Sequence, residues 1–174
     1  MVGKMDVLDI ILNTAKKHGV DEALIIYTSK VEIKNWLVMK CKYGCKYYGK
    51  NHSCPPYTMS PEEMRNLMRE YTRAVLVIGK DKGNHEPKLF KKAMLEIENA
   101  LILNNFNKAL ALTPGPCNGC EECLHSDHCP FPEQKRPALE GVGIDILATA
   151  KKFKRNLDVQ MQQNFPSFGL ILLD

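Results

Sequence analysis

Long apolar runs are missing from this 174-residue chain. No stretch approaches the roughly 18 apolar residues a membrane-spanning helix needs. The start, Met1 to Asp6, leads into an amphipathic segment carrying Asp9, Lys16 and Lys17, not the uncharged core of a signal peptide. The chain is therefore expected to be cytoplasmic, with no membrane partner. A block of like charge is missing too. The net charge is +4, from 24 Lys and Arg against 20 Asp and Glu, and the lysines are scattered. Tryptophan occurs once and aromatics make up 7%. A nucleic-acid footprint, which asks for clustered cations and stacking rings, is not expected. There is no Gly-rich phosphate loop, no Ser/His/Asp arrangement, no zinc-protease motif and no internal repeat, which removes the commonest hydrolytic and nucleotide-dependent chemistries.

What remains is enough for one domain, residues 1–174, with a real core: 44% of the residues are hydrophobic. From Asp6, Leu8, Ile11, Leu12 and Ala15 make an apolar helical stripe that ends at His18-Gly19. Ala23 to Tyr27 is a continuous apolar run, expected to be a buried strand. Val31 to Met39 fits a short strand or a helical turn. Ser60-Pro61-Glu62-Glu63 has the order of a helix start, with Ser at N-cap, Pro at N1 and Glu at N3. Met64, Leu67, Met68 and Tyr71 follow on one face. Arg73 to Gly79 is the clearest strand, Asp81 to Pro87 a turn, and Pro87 to Asn104 a helix with Phe90, Met94, Ile97 and Leu101 at helical spacing. Ala109 to Leu112 reads as a strand. Pro137 to Glu140 is a turn broken by Gly141 and Gly143, Asp145 caps a helix carrying Ile146, Ala150, Phe153 and Leu157, and Phe168 to Leu173 is a last strand. The class is α/β or α+β: one small sheet flanked by helices, with two cysteine-rich metal-binding loops at about 41–59 and 114–136.

Those loops hold all seven cysteines. An odd count in a reducing compartment argues against a disulfide framework. Cys117, Cys120, Cys123 and Cys129 are separated by two, two and five residues, and Pro130 follows. Bacterial-type ferredoxins hold iron–sulfur clusters with a similar run, apart from a shorter last gap. Two-residue gaps let successive thiolates turn inward on one tight loop. A structural zinc is the alternative cofactor, although such sites usually pair two separated knuckles. The first group, Cys41, Cys45 and Cys54, offers three thiolates, which leaves one iron of a [4Fe–4S] centre open to another ligand. Two candidates stand for that place. One is His52, whose plainer reading is a solvated loop residue. The other is Cys129, because the fourth cysteine of a ferredoxin run ligates the other cluster. His125 and His128 are recruitable by zinc, or else serve as hydrogen-bond donors. Lys42, Lys46, Lys50, Lys135 and Arg136 flank the cysteines as a basic rim suited to an acidic partner.

Taken together, the two cysteine words, Pro55-Pro56-Tyr57 after the first, Pro130-Phe131-Pro132-Glu133 after the second, Arg136-Pro137-Ala138-Leu139-Glu140 and Gly143-Ile144-Asp145 resemble an uncharacterised family. It is the cysteine-rich predicted metal-binding protein family of anaerobic archaea and bacteria. The resemblance implies metal or iron–sulfur binding through Cys41, Cys45, Cys54, Cys117, Cys120, Cys123 and Cys129, and no established reaction. Three functions follow as expectations. The first is electron transfer by one or two [4Fe–4S] clusters to a redox enzyme or metalloenzyme partner. The second is a sulfur-handling or small-molecule enzyme using an open iron. The third is a zinc-stabilised interaction module.

Overall fold

The strand β2, Arg73–Gly79, runs through the middle of the molecule. Ala74, Leu76 and Ile78 face one side and Val75 and Val77 the other, and all five are buried. That is why this stretch reads as an unbroken apolar run: both faces of the sheet are covered. The computed structural model describes residues 6–15, 18, 20–79, 87–121, 123, 128–153 and 166–174. Within them β1 (Val20–Tyr27) pairs with β2, β2 with β4 (Ser167–Leu172), and β4 with β3 (Leu110–Leu112), in the order β1-β2-β4-β3. Every pairing is antiparallel, with Leu24 opposite Leu76 and Leu76 opposite Leu170. With five α-helices among the described residues, the class is α+β.

Helices α1 (Val7–Ala15) and α4 (Pro87–Leu103) cover one face of the sheet. Phe90, Met94, Ile97 and Leu101 of α4 are buried there, as their spacing predicts. On α1 the buried stripe is Val7, Ile10, Ile11 and Ala15, while Leu8 and Leu12 are only half-buried. The helix is rolled relative to the sequence expectation, because it packs on both α4 and the sheet. Gly19, the turn at 81–86, His125 and Leu157 lie outside the described residues. The other face takes α3 (Pro61–Met68), a 3-10 turn at Glu140–Val142 and α5 (Ile146–Lys152). Both expected caps form. The Glu63 N–H donates to Ser60 Oγ and the Ser60 N–H to Glu63 Oε2, at 3.3 and 2.7 Å, and the Ala148 N–H donates to Asp145 Oδ1 at 2.9 Å.

Two expectations need correcting. The run Ala23 to Tyr27 is an edge strand, not a buried one: Ile25 is 39% and Tyr27 62% exposed. An apolar run shows strand propensity but not which strand gains neighbours on both sides. The second concerns the ambiguous segment after Val31 and the loop after it. Asn35–Gly44 is a helix, α2, and it carries Cys41 in its last turn. No residue of α2 is buried, so the helix has no core stripe for a periodicity argument to find.

Gly143 closes the 3-10 turn at φ +83°, and a β-carbon there would stand 2.8 Å from Pro61 Cγ and 3.1 Å from the Lys34 carbonyl oxygen. The left-handed backbone costs a non-glycine residue about 1–2 kcal/mol, and the forced contact about 1–3 kcal/mol more. Gly143→Ala is therefore expected to lower the chemical-denaturation midpoint without changing its slope. An unchanged midpoint would count against this turn geometry.

Nearby, Glu32 accepts from Lys152 of α5 and, at 2.7 Å, from Lys34. Lys152 first and Lys34 second hold its carboxyl at about 2. A depressed carboxylate contributes stability above its unfolded value and loses it as the pH falls towards the folded one. The stability gap between wild type and Glu32→Gln should be present at pH 6 and close between about pH 4.5 and 2. It should shrink in high salt, since both lysines are exposed. Thermal melts across that range test it, and a gap constant with pH would refute the pairing.

Candidate metal centre

Cys41 and Cys45 are four residues apart, and α2 continues far enough that the Cys45 N–H donates to the Cys41 carbonyl oxygen at 3.2 Å. Cys45 follows as the C-cap of α2, in extended backbone, one turn beyond Cys41. Cys54 comes to the same place from the irregular segment beyond. All three thiols line one cavity of about 970 Å³, together with Glu140, Tyr43, Tyr47 and Pro116. Burial pushes the Cys54 thiol up to about 11, against the Ser53 hydroxyl, with Cys45, Cys41 and Glu140 adding to the rise. Burial, then Cys45 and Glu140, also raise Cys41.

The other four cysteines form a second set. Cys117, Cys120, Cys123 and Cys129 line one small cavity of about 20 Å³ with Asn51, His52 and Lys135. Desolvation first, then the neighbouring Cys117, Cys129 and Cys123, raise the Cys120 thiol. Cys129 thus sits with its own run and not with the first set. His52 lies at the second cavity, not the first. Its backbone N–H is 3.5 Å from Cys123 Sγ and its ring is tilted against Tyr57, centroids 5.2 Å apart. His128 is exposed beside the run. All seven cysteines are free. A bound metal takes such ligands as thiolates, so binding releases protons.

The residues that join the two sets were not singled out by their sequence. Asn51 and Ser53 are buried polar groups. Asn51 Nδ2 donates to the Cys117 carbonyl oxygen at 2.9 Å, and the Cys117 N–H donates to Ser53 Oγ at 2.6 Å. Ser53 in turn donates to Asn51 Oδ1 at 2.7 Å. One three-residue stretch, Asn51 to Ser53, thus pins the start of the second run directly beside Cys54 of the first. Lys91 of α4 stands between the sets and donates from Nζ to the Pro116 carbonyl oxygen. Burial lowers its pKa, while Cys117, Glu140 and Cys54 work to keep it charged. The far end of the second loop is held by Arg136, whose Nε donates to the buried Glu98 Oε2 at 2.6 Å. A lone buried Glu within a helix stripe was the available signal for this anchor: such a carboxylate needs a partner.

Around the first cavity the surface is aromatic and basic. Tyr43 is 75% and Trp36 46% exposed. Lys40, Lys42 and Lys46 lie over the rings of Trp36, Tyr43 and Tyr47 at 4.8, 5.6 and 5.0 Å.

As they stand, no three His, Cys, Asp or Glu side chains among the described residues converge on a single metal ion. In donor type the sets fit a thiolate-bound metal, since soft sulfur ligands suit iron–sulfur clusters and zinc. Three of the cysteines line one cavity and four line the other. No helix among the described residues is long and apolar enough to cross a membrane. In sequence comparisons, the profile of a family described as "predicted metal-binding protein (DUF2284)" matches residues 24–173. No curated protein and no solved structure matches.

Proposed function

Because the chain belongs to this family of predicted metal-binding proteins, we propose that it is an iron–sulfur protein passing electrons to or from a partner enzyme. The observation that carries this reading is the sorting of seven thiols into two adjacent sets, Cys41, Cys45 and Cys54 at one cavity and Cys117, Cys120, Cys123 and Cys129 at the other. A multinuclear cluster is gripped at separate corners, so its thiolates stand around a volume instead of meeting at a point. Bound clusters supply one-electron transfer. The chain's own residues then have three tasks. The thiolates hold the centres. Lys91 offsets the negative charge between them, and the His52 N–H stands beside a sulfur. The Lys40, Lys42 and Lys46 rim, with its exposed rings, offers an acidic protein partner both charge and apolar contact.

Two other readings have one observation each. The second cavity, about 20 Å³, has room for a single ion, which favours zinc at the four-cysteine site. The first, about 970 Å³ and walled by apolar groups, has room for an organic molecule, which favours an enzyme working at an open metal position. Anaerobic purification followed by iron, zinc and acid-labile sulfide analysis separates them. Iron with matching sulfide is the expected result. Stoichiometric zinc without sulfide would end the redox reading.

A further inference from the structure

We infer that Glu140 is the fourth donor of the three-cysteine site. This rests on reading that site as a metal centre. The second set already has four thiols around its own cavity, so Cys129 is not available to the first. His52, the other candidate, also lies at the second cavity. Glu140 is the one acidic side chain among the described residues lining the first cavity, and it shares that wall with all three thiols.

Its placement is over-determined. The Ala138 N–H donates to the Ser53 carbonyl oxygen and the Leu139 N–H to the Thr113 carbonyl oxygen, each at 2.9 Å, and Leu139 is fully buried. The backbone before Glu140 is therefore clamped between the end of β3 and the stretch that carries Cys54. One carboxylate oxygen, Oε2, accepts from the Gly115 N–H at 3.1 Å. Among the described residues, no other hydrogen bond to this carboxylate is found, so Oε1 has no protein donor. A carboxylate fixed by one oxygen and presenting the other is the arrangement a ligating Glu adopts when an outer-shell donor orients it.

The test uses the full chain, purified anaerobically, with metal per chain as the readout. Iron and zinc are measured before and after a fixed chelator challenge, and the EPR spectrum is recorded where the metal is iron. Glu140→Gln keeps the shape and the hydrogen bond from Gly115 but removes the anionic donor. It is expected to lose metal from the first site at least about tenfold faster than wild type, with the second site's content unchanged. Glu140→Cys, which restores an anionic donor, is expected to recover retention and, with iron, to change the EPR signal. Wild-type retention and spectrum in Glu140→Gln, in a chain where Cys45→Ala does abolish the first site, overturn the Glu140 assignment alone. If Cys45→Ala changes neither metal content nor spectrum, the three-cysteine centre is refuted and this assignment with it.

Discussion

Replacing Glu98 by alanine is expected to destabilise the protein by about 3–5 kcal/mol, the usual cost of removing one partner from a buried ion pair. Only 3% of the Glu98 side chain is exposed, and 17% of Arg136. Its Oε2 accepts from Arg136 Nε at 2.6 Å, and its Oε1 accepts from the Ala111 N–H of β3 at 3.1 Å. The variant strands a guanidinium and a backbone donor together. Changing Arg136 to methionine as well removes the uncompensated charge, so the double variant should be more stable than Glu98→Ala alone. It should still fall short of wild type by about 1–3 kcal/mol, because the Ala111 N–H stays unpaired. Urea melts of the three proteins give the comparison. A double variant no better than the single would mean that the charge pair is not what Glu98 supplies. The consequence reaches the site. Arg136 also donates to the carbonyl oxygens of Glu133 and Lys135, so it shapes the return of the second cysteine loop into the fold.

Removing the metal is expected to have the second large effect, and a local one. Neither cysteine segment has much apolar burial of its own: Cys120 is exposed, and no residue of α2 is buried. Ligation free energy then appears as ordering of these segments. At a free metal concentration a hundredfold above Kd, linkage contributes about 2.7 kcal/mol, which for a chain of this size corresponds to about 5–11 °C in Tm. Chelator-treated protein should therefore melt earlier and be cleaved by protease within 114–136, while far-UV circular dichroism keeps its sheet and helix signal. Cys120→Ala should reproduce the loss at the second site. Equal melting and equal protease resistance with and without metal would show that the thiols do not hold a structural centre.

Sequence legibility followed how local each feature is. The Ser60–Glu63 capping box, the Asp145 cap, the α4 stripe and the limits of β2 are set by residues within a few positions of each other, and all were read correctly. The edge position of β1 was not, because it depends on β2 pairing with β4, almost a hundred residues further on. The helix carrying Cys41 was hidden because it buries nothing, so hydrophobic period says nothing about it. Asn51, Ser53, Lys91 and Glu140 are ordinary letters in the sequence. They matter only through contacts that span from about 25 to more than 60 residues of chain.

By itself, then, the sequence determined the donor inventory: seven cysteines in two closely spaced groups, on a sheet-and-helix frame. Spacing and residue type are enough for that, because they govern which groups can turn to face one another within a single loop. Only the tertiary structure decided that the seven thiols divide into three and four, that His52 stands at the four-cysteine cavity, and that a carboxylate from Glu140 reaches the three-cysteine one. Those outcomes depend on which distant segments the two-faced core brings together, and no local pattern records that.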